Sequence, residues 1–191
     1  QVAHFHCETP RTATEIFKAL NSLLPDAIVI RSCTQVAPEF HARFDAVRKT
    51  YHYRILNRPL PAAIGRQYIW HLRRDLNRSA MQAAAARLVG RHDFRSFEGT
   101  GSPRSSTVRT VFRCEWQVEG PDRLTLHLCA DGFLRYMVRN IVGTLVEVGS
   151  GRIMPEAFES ILAAKDRTRA AATAPARGLF LVSVQYPPHV S

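Results

Sequence analysis

The segment from Phe133 to Val148 constrains the fold more than any other part of the sequence, because its apolar residues recur at helical spacing. These residues form one stripe along a helix: Leu134, Met137, Val138, Ile141, Val142 and Leu145. A stripe of this width has to be buried, and a β-sheet is the partner that we expect. The sequence therefore predicts a core helix packed on a sheet.

Two arginines, Arg135 and Arg139, are spaced one helical turn apart at the edge of this stripe. Like charges at this spacing repel by about 0.2–0.5 kcal/mol, and half-buried guanidinium groups need acceptors. One interpretation places an anion beside them. The other interpretation, equally open on spacing alone, packs their aliphatic stems on the core and leaves the charged ends in water.

The charge of the chain points to an anionic partner. Its 191 residues, enough for one well-cored domain or one domain plus part of another, carry a formal net charge of +10, and nearly all of the 26 basic residues are arginines. Arginine suits bidentate phosphate contacts and stacking on bases, so nucleic acid is favoured over an acidic small molecule or a membrane surface. With no apolar run of about 18 residues, we expect no membrane association and a cytoplasmic location.

Cysteine and histidine spacing indicates neither a metal site nor a disulfide framework. The four cysteines are far apart and include no Cys-x-x-Cys pair, so we expect ordinary buried thiols: Cys7, Cys33, Cys114 and Cys129. His4 and His6 alternate on a predicted strand, but no further ligand motif accompanies them. We therefore expect no bound metal.

Residues 1–40 read as strand, helix, strand. Residues 1–7 and 27–36 have strand character, and Thr12 and Glu15 form a capping box that opens an amphipathic helix before Pro25. The side chains expected to point inward are Ile16, Phe17, Leu20, Leu23 and Leu24. Three elements are too few to close a core, so we expect residues 1–40 to be the remnant of an N-terminal ferredoxin-like unit.

Residues 41–191 predict a complete α+β domain. The expected elements are a strand over 41–57, a short strand within 66–72, a helix opened by a capping box at Ser79 and Gln82 and ended by Gly90, a hairpin over 110–128, the central helix, a helix over 155–164 and a strand over 178–186. In the hairpin, one face should carry Phe112, Cys114, Trp116 and Val118. This order predicts a C-terminal ferredoxin-like domain, an antiparallel sheet with helices on one face.

The stretch from His92 to Val108 is rich in glycine, serine and arginine and reads as a loop. Loops of this length are often functional, and this one carries Arg95, Arg104 and Arg109. Contact with RNA and a plain solvated loop are both open interpretations.

Seven blocks of sequence resemble, in order, the motifs of the tRNA pseudouridine synthase A family, and together they span nearly the whole chain. The blocks are QVAHF at 1–5, FHARF at 40–44, KTYHYRI at 49–55, FRSF at 94–97, MVRNIVG at 137–143, AKDR at 164–167 and GLFLV at 178–182. No single block is decisive. Seven blocks in the order of the family are together highly specific for it.

The resemblance implies two ferredoxin-like units joined in one extended sheet, a homodimer, and an active-site cleft between units. It implies isomerisation of uridine to pseudouridine in the anticodon stem-loop of tRNA, at positions 38 to 40, without a metal or nucleotide cofactor. Such an enzyme cuts the N-glycosidic bond, turns the uracil, joins C5 to C1′ and removes the C5 proton. It needs a carboxylate at the ribose, a cation to pair with it and a wall for the flipped base.

The resemblance also assigns residues. Tyr51 matches the active-site tyrosine that stacks on the uracil and helps to remove the C5 proton, Arg139 matches the arginine that pairs with the catalytic Asp, and Leu179 matches the apolar wall of the base pocket. Without the resemblance, Tyr51 and Leu179 would read equally well as strand core, as Tyr53 does. The candidates for phosphate contacts are Arg43, Arg48, Lys49, Arg54, Arg95, Arg104 and Arg109.

The nucleophile is missing from the pattern. In the family it is the Asp of a Gly-Arg-Thr-Asp motif just before the Gln-Val strand, and no aspartate of this sequence follows Gly-Arg-Thr. We therefore assign no aspartate here and expect these 191 residues alone to be inactive. The main alternative is a non-catalytic RNA-binding ferredoxin-like module. An RRM-type aromatic strand pattern is not present, which weakens it, and a metabolite-binding protein would leave the positive charge unexplained.

Overall fold

The computed structural model describes residues 1–101 and 105–188 and divides the chain into two units. The smaller unit comprises Val2–Ala46 and the residues that follow Gln185. The larger unit comprises Val47–Gln185 together with Gln1. The predicted mixed α+β class is confirmed, with one six-stranded sheet and four α-helices over the described residues.

In the smaller unit, the predicted capping box is confirmed. Helix α1 (Ala13–Leu23) begins after Thr12, whose hydroxyl accepts a hydrogen bond from the Glu15 backbone N–H while the Glu15 carboxylate accepts one from the Thr12 N–H. The predicted inward face is only partly correct. No residue of α1 is fully buried, and Leu23 is 83% exposed.

The two strands predicted in this unit are wrong. Residues 1–7 and 27–36 make no β-ladder, because a strand exists only where a neighbouring backbone pairs with it. At Ile30 a side chain replaces that neighbour, since the Asn21 amide accepts from the Ile30 N–H at 2.9 Å and donates to the Ile30 carbonyl at 3.0 Å. The predicted long strand is also shortened, because residues 41–45 form a turn in which the Asp45 carboxylate accepts from the His41 N–H.

The larger unit is built on the sheet. Its strands are β1 (Arg48–Asn57), β2 (Trp70–Leu72), β3 (Gly90–Asp93), β4 (Val108–Glu119), β5 (Arg123–Ala130) and β6 (Leu179–Gln185), in the order β2-β1-β5-β4-β3 with β6 also beside β1. All pairings are antiparallel except that of β1 with β2. Because β5 takes one edge of β1, β6 and β2 share the other edge, β6 along Arg48–Tyr53 and β2 along Ile55–Asn57.

Helices α2 (Arg78–Ala86), α3 (Met137–Gly149) and α4 (Ala157–Ala163) bury their apolar residues in one core with Tyr53, Ile55 and Leu126. The predicted core helix is confirmed as α3, in which nearly every residue is buried. It begins at Met137 rather than Phe133, because Tyr136 takes a left-handed backbone with a φ of 61°. Arg135 therefore precedes the helix instead of lying on its edge.

Three local predictions are corrected. Asn77, not Ser79, caps α2, and the side chain of Gln82 instead accepts a hydrogen bond from the Trp116 N–H at 2.8 Å. The β4–β5 register shifts at Phe112, so Val111 and Cys114 are buried while Phe112 is 39% exposed, against the predicted alternation. Of the four cysteines only Cys114 is buried.

The predicted loop after His92 has structure of its own. Its start belongs to β3, a 3-10 turn follows at Arg95–Phe97, and Phe94 and Phe97 are fully buried in the core. The Gly99 N–H then donates a hydrogen bond to the Arg135 carbonyl at 2.7 Å. Arg104 lies outside the described residues.

Candidate functional site

Two tyrosines on the core face of β1 have different surroundings. Tyr53 is completely buried, and its hydroxyl donates to the Pro175 carbonyl at 2.6 Å. Tyr51 is partly exposed, and its ring meets the edge of the Phe133 ring with centroids 4.9 Å apart. Burial raises the pKa of both phenols, so both are protonated at neutral pH. Tyr53 is a core residue, while Tyr51 presents part of its ring to the surface.

Arg139 lies in the first turn of α3 and is held by its neighbour Ala174. Its Nε–H donates to the Ala174 carbonyl at 2.6 Å, and the Ala174 N–H donates to the Arg139 carbonyl at 3.1 Å. The guanidinium carbon is also 5.1 Å from the centre of the Tyr136 ring, a cation–π distance. Within residues 1–101 and 105–188, no hydrogen bond or ion pair engages its two Nη atoms.

Leu179 begins β6 directly opposite Tyr53 and packs, partly buried, against the core. The residue before it has to be small. A Cβ on Gly178 would lie 2.7 Å from the Tyr53 ring and 2.8 Å from the Arg54 carbonyl. The glycine therefore lets the chain enter β6 close against β1, which places Leu179 beside Tyr53.

Tyr53 links the predicted residues to one another. Tyr51, Phe133 and Leu179 are partly buried against the same core, where Tyr51 contacts Phe133 and Leu179 lies opposite Tyr53. The Tyr53 hydroxyl donates to Pro175, the residue after the Ala174 that holds Arg139. An aromatic face, an aliphatic wall and an oriented cation can hold a planar base beside an anion.

The predicted phosphate-binding residues are dispersed. Arg48 and Arg54 lie on the opposite face of β1 from Tyr51, with their guanidinium groups 4.2 Å from the Phe112 ring and 4.6 Å from the Phe180 ring. Lys49 alternates onto the face of Tyr51. On β1, Lys49 is the basic residue of this set that shares a face with Tyr51.

Three other members of the set lie away from β1. Arg43 belongs to the smaller unit, where its guanidinium lies 5.6 Å from the Phe44 ring. Arg95 is exposed at the 3-10 turn after β3. Arg109 is half-buried and donates to the carbonyls of Ser106 and Val108.

Sequence reasoning missed Phe133, Tyr136 and Ala174 as parts of this site. Phe133 could have been found, because it opens the most strongly patterned segment of the chain. The left-handed backbone of Tyr136 and the pairing of Ala174 with Arg139 leave no local sequence signal.

Two surveys of the described residues bear on other site types. No group of three or more His, Cys, Asp or Glu side chains is placed to hold a metal ion among residues 1–101 and 105–188. Over the same residues, no helix has the length and apolar character needed to cross a membrane.

Comparison with known sequences gives consistent matches. A family profile described as tRNA pseudouridine synthase matches residues 84–187. Proteins named tRNA pseudouridine synthase A are similar over most of the chain. The one from Thermoanaerobacter sp. is 44% identical over 97% of this chain and 76% of its own length. The one from Moorella thermoacetica is 50% identical over 88% and 68%, and that from Maridesulfovibrio salexigens 42% identical over 97% and 69%.

Proposed function

Because this chain belongs to the tRNA pseudouridine synthase family, an isomerase family, we propose that it converts uridine to pseudouridine in the anticodon stem-loop of tRNA, at positions 38 to 40. The reaction uses no metal or nucleotide cofactor. The observation that carries this proposal is the Arg139 guanidinium, which Ala174 fixes while both Nη atoms stay unengaged in the described chain.

Arg139 pairs with the catalytic carboxylate in this proposal. Since its Nε–H is already bound to Ala174, the guanidinium offers its two Nη groups end-on. A bidentate contact of this kind orients a carboxylate and keeps it ionised. None of the aspartates in the described residues pairs with Arg139, and we assign none of them as the nucleophile.

Tyr51 and Leu179 hold the flipped uracil, Tyr51 by stacking and Leu179 as the opposing apolar wall. Phe133 supports the Tyr51 ring from its edge. Because burial raises the pKa of Tyr51, its phenol is neutral at the pH of the cell. The hydroxyl therefore takes part in removal of the C5 proton by relaying a proton, and not as a standing phenolate base.

tRNA binding rests on the charge of +10. The proposed phosphate contacts come from Arg43, Arg48, Lys49, Arg54, Arg95, Arg104 and Arg109, of which Lys49 shares a face of β1 with Tyr51. A tRNA-modifying enzyme meets its substrate in the cytoplasm, which is the location that we propose.

We also propose a homodimer, supported by the face of the sheet that α2, α3 and α4 leave uncovered. The rings of His52 and His127 lie 4.0 Å apart there, and within residues 1–101 and 105–188 the buried His127 Nε2 has no hydrogen-bond partner. Phe112 is 39% exposed beneath Arg48 on this face. In sedimentation equilibrium, Arg54→Glu should weaken self-association if a second copy packs here. An unchanged dimer with weaker tRNA binding would assign Arg54 to RNA instead.

For the domain organisation, we propose that residues 1–40 belong to a second ferredoxin-like unit and that residues 41–191 form the C-terminal one. The support is the α+β architecture of Val47–Gln185 and the greater length of the relatives. This chain covers 76% of the relative from Thermoanaerobacter sp. and 68% of the one from Moorella thermoacetica.

Release of tritium from C5-labelled uridine in tRNA tests the proposed reaction. The protein used should extend the 191-residue chain before Gln1 with a segment that carries the Gly-Arg-Thr-Asp motif, and the 191-residue chain should be assayed beside it. The longer protein should release tritium and the 191-residue chain should not. A non-catalytic RNA-binding module would release none in either form, and release by the 191-residue chain would mean that one of its own aspartates is the nucleophile.

Arg139→Ala tests the central assignment in the same assay. Turnover should fall by about 10²–10³-fold or more, since a fixed charge partner is lost, while the Kd for tRNA should change little. Arg139→Lys should rescue poorly because a point charge does not reproduce a bidentate contact. Arg87→Ala is the matched control, because Arg87 forms a surface ion pair with Glu159. Normal turnover of Arg139→Ala would remove Arg139 from the site.

Two substitutions separate the roles of Tyr51. Tyr51→Phe keeps the ring and should bind tRNA normally but slow proton removal in a single turnover. Tyr51→Leu should also lose about 1–3 kcal/mol of stacking. Equal single-turnover rates for Tyr51→Phe and the unsubstituted protein would leave only the stacking role.

A further inference from the structure

Asn140, the residue after Arg139, is completely buried and fully engaged. Its Nδ2 donates to the Phe97 carbonyl at 2.7 Å. Its Oδ1 accepts from the Thr173 hydroxyl at 2.6 Å and from Arg167 Nη2 at 3.1 Å. A buried amide is costly unless its groups are satisfied, so this side chain imposes strict positions on its three partners.

Two of these partners belong to the segment between α4 and β6. Arg167 reinforces the segment internally, with Nη1 donating to the Ala170 carbonyl at 3.1 Å and Nη2 to the Thr173 hydroxyl at 3.2 Å. Apart from 3-10 turns, this segment has no regular secondary structure. Its position on α3 is therefore set by side-chain contacts.

Further contacts fix the same segment to α3. The Thr144 hydroxyl donates to the Asn140 carbonyl at 2.9 Å and accepts from the Ala171 N–H at 3.1 Å. A Cβ on Gly143 would lie only 2.0 Å from the Ala172 carbonyl oxygen, so the segment runs directly over the helix surface.

The residue after Thr173 is Ala174, the holder of Arg139. Both hydrogen bonds between Ala174 and Arg139 depend on the position of the Ala174 backbone. A displacement of the Ala174 backbone therefore moves the Arg139 guanidinium, because the Arg139 Nε–H has no other hydrogen-bond acceptor in the described chain.

We propose that Asn140 is a positioning residue which, through Thr173 and Arg167, fixes the Ala174 backbone and so aims the Arg139 guanidinium. Asn140 touches neither substrate nor reacting atoms, and it acts only through Arg139. The inference rests on the proposed function for the catalytic consequence of that aim. The structural coupling itself, from Asn140 to Thr173 to Ala174 to Arg139, does not.

Thr173→Val is the decisive variant, because it removes the hydroxyl at nearly constant volume from an exposed residue and so does not threaten folding. Thr168→Val is the matched control in the same segment, since the Thr168 hydroxyl bonds to Asp166 and not to Asn140. In the longer protein that carries the Gly-Arg-Thr-Asp motif, Thr173→Val should lower kcat by about tenfold or more, because a small misplacement of a catalytic group greatly reduces the rate. KM and the Kd for tRNA should stay within about twofold, and Thr168→Val should leave kcat unchanged.

A second measurement needs no activity. In the 191-residue chain, the Nε–H of Arg139 should exchange with solvent about tenfold faster in Thr173→Val than in the unsubstituted chain or in Thr168→Val, as read by nuclear magnetic resonance. Thr173→Ser, which keeps the hydroxyl, should restore both slow exchange and kcat.

The two readouts separate the possible failures. Faster exchange with unchanged kcat would keep the coupling and overturn the catalytic part of the inference. The proposed function would fail separately, if the unsubstituted protein released no tritium from C5-labelled tRNA. Unchanged exchange in Thr173→Val would overturn the inference outright. If Asn140→Ala folds, it should lower kcat and speed the exchange of the Arg139 Nε–H more than Thr173→Val does. Smaller changes than those of Thr173→Val would contradict the central place of Asn140 in the network.

Discussion

Helices α1 and α3 differ both in how their first turn is capped and in how much of each helix is buried. Helix α1, in the smaller unit, has a complete capping box but no fully buried residue. Helix α3, in the larger unit, begins at a left-handed tyrosine with no side-chain cap, yet nearly all of its residues are buried. The comparison teaches that capping decides where a helix starts, while burial decides how much stability depends on it.

The contrast extends to the two units. Every residue of the hydrophobic core cluster lies between Tyr53 and Ala174 in the larger unit. Among residues 2–46 and 186–188 of the smaller unit, only Phe40 is buried, at 9% exposed. Substitutions of the same kind should therefore have unequal effects in the two units, and such pairs of variants measure the difference.

The largest effect should come from apolar truncation. Ile141→Ala removes a completely buried side chain from α3 and should lower the free energy of unfolding by about 2–5 kcal/mol. Leu20→Ala removes a half-buried side chain from α1 and should cost less than about 1 kcal/mol. Urea unfolding followed by circular dichroism measures both. Equal losses would mean that the smaller unit has a core of comparable weight.

A tyrosine hydroxyl gives the next comparison, because each unit has one bonded to a carbonyl. Tyr53→Phe leaves the Pro175 carbonyl without its partner in the core and should cost about 1–3 kcal/mol. Tyr186→Phe breaks a similar bond of 2.7 Å to Ala42, but Tyr186 is partly exposed and water can replace the hydroxyl. We expect a cost of about 0.5 kcal/mol there. The same urea titration distinguishes the two.

Loss of the α1 cap should have a smaller and local effect. Thr12→Ala should destabilise α1 by about 1 kcal/mol through loss of the capping box. Hydrogen exchange of the α1 amides should become faster, while amides of α3 exchange as before. Thr14→Ala, an exposed helical position without a capping role, is the control. Faster exchange in α3 as well would show that the two helices unfold together.

The smallest effect should be a pH dependence that arises in the larger unit. Burial lowers the pKa of His52, and the nearby positive charges of His127, Arg54 and Arg113 lower it further, against a smaller opposite effect of Glu119. Burial also lowers the pKa of His127, as does Arg113, while Glu115 and Glu119 act in the opposite sense. The folded state therefore binds fewer protons than the unfolded state just below the ordinary histidine pKa of about 6.5. Stability should fall as the pH drops through that value and level off below the lowered pKa values.

Urea midpoints measured at several pH values between neutrality and about pH 5 test this sign. His127→Gln should flatten the profile, because it removes one of the two histidines whose pKa is lowered. A profile that is flat in the unsubstituted chain, or that rises towards acid, would contradict the assignment.

The sequence predicted those features that a short pattern encodes. The period of the α3 stripe and the Thr12 capping box are local, and both are confirmed. Strands at residues 1–7 and 27–36 were wrong because a ladder depends on a partner elsewhere, which no local pattern reports. For the candidate site, motifs named Tyr51, Arg139 and Leu179, and their roles stay predictions. The pairing of Ala174 with Arg139 joins residues 35 positions apart and could not.

The shared edge of β1 sets the order in which this fold can be completed. Strand β6 follows the other five described strands in sequence, and the bond from Tyr53 to Pro175 closes a loop of 122 positions. A growing polypeptide therefore leaves this edge of β1 unpaired along Arg48–Tyr53 until β6 has been made, and refolding requires the same long loop closure. Slow folding, with a strand edge open to other chains in the meantime, is the kinetic consequence of pairing that edge with a strand so distant in sequence.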